Sequence, residues 1–128
     1  MQSPLAPDVL QKIEEILEDV VNKEPSITSA AVMSPEGFPL VVLIAKEEDT
    51  KIELAASIAS LGSLSEQTAE RLKIGHYQDL VLRCGNGHLL VRRIGSVGML
   101  AVITEQNAHL GACYIILDFL EKRLEAML

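Results

Sequence analysis

Two cysteines and three histidines are the residues best equipped for chemistry in this chain: Cys84, Cys113, His76, His88 and His109. Thiolates and imidazoles can hold a metal ion or pair as nucleophile and base. None of the five is spaced as C-x2-C, H-x3-H or H-E-x-x-H. Cys84 alternates in phase with Leu80 and Leu82, and Cys113 falls on an apolar helical stripe, so both read as buried and inert. The histidines lie near turns or a helix start and read as exposed. A Cys–His nucleophile pair is left open, but nothing singles it out. Serines recur as S-x-x-S, never in a G-x-S-x-G elbow. Arg92 and Arg93 adjoin on a strand and so point to opposite faces. One could serve a phosphate transition state, but a salt bridge or a stem laid along the surface is the simpler reading. No catalytic, metal-binding or cofactor-binding residue is assigned, and the chain reads as a non-enzyme.

The elements that would position any site come from composition and periodicity. The 128 residues suit one domain, with residues 1–7 as a tail and 8–128 as the folded unit. Apolar residues make up 48% and aromatics only 3%, so the core is aliphatic. A net charge of −7 repels nucleic acid and anionic membranes. The opening MQSPLAPDVL lacks the basic start and apolar run of a secretion signal, and no apolar stretch is long enough to insert into a bilayer. Cytoplasmic localisation is expected.

Asp8 reads as the cap of a first helix, with Gln11 as its returning partner and Leu10, Ile13, Leu17 and Val20 as its apolar stripe. Pro25 ends that helix. Its acidic run, Glu14, Glu15, Glu18 and Asp19, reads as a solvated face. Strands are expected at 27–34 and 38–44. Thr50 and Glu53 form a T-x-x-E capping box for a middle helix reaching about Lys73, with Gly75 taking the left-handed cap. Strands at 78–84, 88–94 and 98–104 follow. Asn107 is expected to cap a last helix whose stripe is Leu110, Cys113, Leu117, Leu120, Leu124 and Met127. The order is α-β-β-α-β-β-β-α.

In MSPEGFPLVV, Ser34-Pro35-Glu36-Gly37 fits a type I turn followed by a left-handed residue: Pro35 presets φ and Gly37 accepts φ > 0. No phosphate-loop pattern is present. Pro39 removes a donor from the next strand and marks it as a partly blocked sheet edge. Strands 27–34 and 98–104 are apolar on both faces and belong mid-sheet. The expected fold is α/β of the α+β kind: a central five-stranded antiparallel sheet, with the long middle helix on one face and the two terminal helices on the other. The second edge is then YQDLVLRC, 77–84, which contains no Pro.

In the middle helix, Leu54, Ile58, Leu61, Ser65, Thr68 and Leu72 are read as the sheet-facing stripe. Beside it lie Ala55, Gly62 and Ala69, and further round Ala56, Ala59, Ser60 and Ser63, where an exposed helix would show charge. A mid-helix glycine costs about 1 kcal/mol relative to Ala. Close approach of a second copy's helix would offset that, and packing of small residues against the sheet would also explain them. The expected dimer interface is Ala55, Ala56, Ala59, Gly62, Ser63, Glu66 and Ala69, with Leu80 and Leu82 from the open edge. On this reading Gly62→Leu should weaken association more than folding.

Four stretches together resemble the Roadblock family. AAVMSPEGFPLVV looks like its first hairpin, ELAASIASLGSLSEQTAERL its Ala/Ser-rich helix, HLLVRRIGSVGMLAVIT its last two strands, and NAHLGACYIIL the Asn-x-x-x-Gly start of its final helix. The likeness covers about residues 8–128. Ser34-Pro35 departs from it, since many members carry an acidic residue before the turn, which alters local capping. The resemblance implies the profilin-like Roadblock fold, a homodimer with paired middle helices and a sheet continuous across the two-fold. It also implies a non-enzymatic scaffold or regulator that binds a Ras-like small GTPase, with no cofactor. The alternatives are a small-molecule sensor of the profilin or PAS kind, with a ligand between sheet and helix, and a small hydrolase using Cys84 or Cys113.

Overall fold

The computed structural model describes residues 5–43, 51–95 and 98–127. Its elements are helix α1 (Pro7–Lys23), strands β1 (Ile27–Met33) and β2 (Pro39–Leu43), helix α2 (Lys51–Arg71), strands β3 (Asp79–Cys84), β4 (Gly87–Ile94) and β5 (Gly98–Glu105), and helix α3 (Leu110–Glu125). The five strands form one antiparallel sheet in the order β2-β1-β5-β4-β3. The doubly apolar strands β1 and β5 are interior, and the edges are β2, which starts at Pro39, and β3.

Two apolar layers sandwich the sheet. Ala30, Val32, Leu90, Leu100 and Val102 face Ile13 and Leu17 of α1 and Leu117 and Leu120 of α3. The alternate residues Ala31, Met33, Val91, Met99 and Ala101 face Ala55 and Ile58 of α2. Strand alternation sends successive side chains into opposite layers.

Several helix ends differ from expectation. Ala6 occupies the α1 N-cap position without a side-chain bond and Pro7 starts the helix, so Asp8 lies in the first turn and does not cap. At α3 the cap is His109, not Asn107: its Nδ1 accepts from the Ala112 N–H at 3.2 Å. Gly111 makes room, since a Cβ there would lie 3.0 Å from the His109 ring. At the end of α2, Lys73 takes the left-handed capping position with φ of 56°, while Gly75, also at positive φ (98°), lies two residues beyond it. The Ile74 N–H reaches Ala69 O and the Lys73 N–H reaches Glu70 O, both at 3.1 Å, closing a Schellman pair. The helix ends at Arg71, too early for Gly75 to close it. Thr50, the expected capping residue of α2, lies outside the described residues.

Candidate interaction surface

The β1–β2 turn forms as its residues dictate. The Gly37 N–H reaches Ser34 O at 3.0 Å, and the Ser34 N–H reaches Phe38 O at 2.8 Å. Ser34 Oγ accepts from the Phe38 N–H at 3.0 Å, so serine does the capping here. Gly37 has φ of 94°. The turn also leans on α2: a Cβ on Gly37 would lie 2.9 Å from that of Ala59.

This contact fixes which way α2 faces, and the orientation differs from the expected one. Buried on the sheet are Ala55, Ile58, Gly62 and Ala69. Leu54 packs against the same layer and Leu61 and Ser65 are half-buried, but Thr68 and Leu72 of the expected stripe are exposed. The small residues are therefore needed inside the protomer. A Cβ on Gly62 would lie 2.6 Å from the Tyr77 hydroxyl oxygen and 3.0 Å from Met99 Sδ. Ala55, Gly62 and Ala69, expected at a dimer interface, are instead covered by their own chain.

Of the other residues expected at the interface, Ala56 and Ser63 are exposed, while Ala59 and Glu66 are half-buried. With Ser57, Ser60 and Leu64 they outline the outer face of α2. No charged side chain occurs from Leu54 to Ser65. Leu64 is 61% exposed. The Ser60 hydroxyl donates to Ala56 O at 3.0 Å, and the Thr68 hydroxyl to Leu64 O at 2.8 Å. These bonds turn hydroxyls back onto the helix and leave a small, weakly polar surface. The absence of charge was its sequence signal; Leu64, taken into no stripe, was missed.

At the sheet edge opposite β2 runs β3, hydrogen-bonded along one side by β4. Leu80 packs partly under α2, whereas Leu82 is 44% exposed and Arg83 and Cys84 are exposed too. Cys84 is thus not buried as expected: alternation fixes its face, but that end of the edge strand has no cover. His88 departs the other way. It is buried in phase with Leu90, its Nδ1 accepts from the Cys84 N–H at 3.3 Å, and its Nε2 lies 3.1 Å from Gln106 O. Cys113 is buried as expected, and burial pushes its thiol upward, helped by the charge of Glu24.

The two arginines do face opposite ways. Arg93 stays on the α2 side: Nη1 donates to Glu66 Oε2 at 3.0 Å and to Tyr77 O at 3.3 Å, with the guanidinium 5.5 Å from the Tyr77 ring centre. His76 Nδ1 lies 2.6 Å from the other Glu66 oxygen. Burial raises the Tyr77 hydroxyl, opposed by Arg93 and aided by Glu66. A surface groove of about 330 Å³ runs here between Pro35, Ser63, Gln67, Tyr77 and Arg93. Arg92 faces α3, where it contacts Asp118 and Glu121, and it also pairs with Asp79 at the start of β3. On α3 itself, Ile115 and Phe119 form an exposed apolar pair that the periodicity did not signal.

Chemistry is sparse in this arrangement. Among the described residues no group of three His, Cys, Asp or Glu could hold a metal ion. The space between α2 and the sheet beside Ala30, Ile58 and Ala101 is about 10 Å³, room for roughly one water. No helix among the described residues is long and apolar enough to cross a membrane.

Comparison with known proteins accounts for this combination. The Roadblock/LC7 domain family matches residues 12–104. The gliding protein MglB from Thermus thermophilus superposes with a TM-score of 0.86 at 18% identity, covering 99% of this chain and 97% of that one. A Roadblock/LC7 domain from Streptomyces avermitilis gives 0.81 at 24% identity, covering 88% and 94%. Profilin II of Acanthamoeba castellanii gives 0.64 at 12% identity, covering 88% and 96%, which places the α+β fold among profilin-like ones. A comparison with curated proteins found no match.

Proposed function

Because the chain belongs to the Roadblock/LC7 family, we propose that it acts as a non-enzymatic homodimer that binds a Ras-like small GTPase and regulates or positions it. Two features together carry the dimer: the outer face of α2 is uncharged, and β3, whose Leu80 packs against the apolar layer beneath α2, leaves one edge of the sheet open. Placed on a two-fold axis, β3 pairs with its copy and α2 packs on its copy. Ala56, Ser60, Ser63, Leu64 and Leu82 then form the centre, with Ala59, Glu66 and Leu80 at its margin. An edge strand with no Pro is a ready template for such pairing. Small residues let helices approach closely, and an interface of this kind buries roughly 1,200–2,000 Å² in total.

The GTPase is supported by the family and by the likeness to MglB along nearly the whole chain. A regulator of this kind needs no nucleophile or metal of its own, because the nucleotide chemistry belongs to the partner. The acidic surface disfavours nucleic acid and anionic membranes as alternative partners. Localisation in the cytoplasm fits such a role. Sedimentation velocity at micromolar concentration tests the dimer. A species of twice 13.9 kDa is expected, and a 13.9 kDa species across the range would remove it.

A further inference from the structure

Arg92 occupies an unusual position. Its side chain is 9% exposed, yet it meets three carboxylates from two elements. Nη2 lies 3.1 Å from Asp79 Oδ2, at the first residue of β3. Nη1 contacts Asp118 and lies 3.4 Å from Glu121 Oε1, both on α3. The guanidinium is 5.8 Å from the Tyr114 ring centre, also on α3. Burial opposes the charge, but the hydrogen bonds and charges of Asp118 and Asp79 outweigh it and raise the group. One cation thus holds three anions that would repel one another without it.

β3 is held at its start by the β4 ladder, in which Asp79 pairs with Arg92 itself, and by Leu80 and Val81, which pack partly into the two apolar layers. It is an edge strand, with β4 as its neighbour in the sheet, and its side chains become exposed from Leu82 onward. Just before it, the Arg93 N–H donates to Gln78 O at 3.0 Å. The Arg92 side chain adds a tie from the strand to α3. The fork geometry of a guanidinium suits this bridging; the compact ammonium of lysine cannot span it equally.

We propose that Arg92 is a positioning residue for self-association: by bridging Asp79 to Asp118 and Glu121, it holds β3 in the path and twist that a second copy's β3 must meet. The inference rests on the dimer reading above. It makes the docking of α3 on one face a condition for pairing at an edge that α3 does not cover.

The test measures self-association of the full chain by sedimentation, with hydrogen exchange at residues 79–84. Two variants loosen the bridge: Arg92→Met, and Asp79→Ala, which removes only its β3 end and leaves Arg92 with Asp118 and Glu121. Ile94→Val, a fully buried change on the same strand, lowers stability without touching the bridge. Both bridge variants are expected to weaken association by about tenfold or more, and to speed exchange at 79–84. Ile94→Val is expected to leave association unchanged. Arg92→Lys should recover only part of the loss. If Arg92→Met does not fold, Asp79→Ala carries the test alone. The proposal is overturned if wild type dimerises and Asp79→Ala associates equally tightly, or if Ile94→Val weakens association as much as Asp79→Ala. A monomeric wild type would instead overturn the dimer on which it rests.

Discussion

The Tyr77 hydroxyl lies where a side chain at Gly62 would begin, 2.6 Å from the position its Cβ would take. The glycine in the middle of α2 is thus set by the loop leading into β3. This predicts a specific coupling. Gly62→Ala gains about 1 kcal/mol of helix propensity but must displace Tyr77 from its place beside Arg93. In wild type the substitution should be destabilising by about 1–2 kcal/mol. With Tyr77→Phe in place, the oxygen is gone and the same change should be near neutral. A double-mutant cycle in urea that gives no coupling between the two positions would contradict the contact.

Lys73 takes a left-handed conformation that a side chain disfavours by roughly 1 kcal/mol. It is exposed, and its role is to let the Ile74 and Lys73 N–H groups close the end of α2. Lys73→Gly should therefore raise stability, by up to about 1 kcal/mol. Thermal unfolding at fixed protein concentration is the check, and a lowered midpoint would mean that the lysine side chain holds the loop in some other way.

Stability should fall on the alkaline side, and part of that fall belongs to Cys113. Its folded thiol is raised by burial and by Glu24, so the fold favours the protonated form. The contribution is complete below the ordinary thiol value of roughly 8.5 and is lost as pH rises from there through the folded value. Cys113→Ala should show a smaller drop in urea midpoint between about pH 7.5 and 9.5 than wild type. Tyr77 and Tyr114, both raised by burial, contribute a further fall above roughly pH 10 in both proteins. Equal drops in wild type and variant would exclude the thiol as a source.

The outer face of α2 makes a separate prediction. Leu64→Glu places a charge on an exposed position, so the isolated fold should change by less than about 0.5 kcal/mol. Burying that charge against its copy on a two-fold axis is strongly unfavourable, and the dimer should be lost. Circular dichroism would report the fold and light scattering the mass. A dimer of wild-type affinity would place the interface elsewhere.

The sheet order was readable because two local signals agreed. Pro39 has no N–H to give to a ladder, and GMLAVIT has no polar face to leave in water, so one belongs at an edge and the other inside. The orientation of α2 was not readable. Its two neighbouring stripes, one with Leu54 and Leu61, the other with Ala55, Gly62 and Ala69, both lack charge, and periodicity alone does not choose between them. What chooses is tertiary: the Gly37 turn and the Tyr77 ring arrive from other parts of the chain and need the small residues beneath them. Cys84 and His88 show the same limit. Alternation assigned each a face of the sheet, but cover depends on where a helix ends and which strand is outermost. The bridge at Arg92 was legible only as a direction, since its acidic partners come from β3 and α3.

Recognition of a small GTPase by a dimer of this chain is the central claim. The direct measurement is a calorimetric titration of the protein with a purified Ras-like GTPase from the same source, loaded either with GDP or with a non-hydrolysable GTP analogue. Binding that differs between the two nucleotide states, with a stoichiometry referred to the dimer and lost in Leu64→Glu, is the predicted result. Absence of binding in both states, across the Ras-like GTPases of that source, would contradict it.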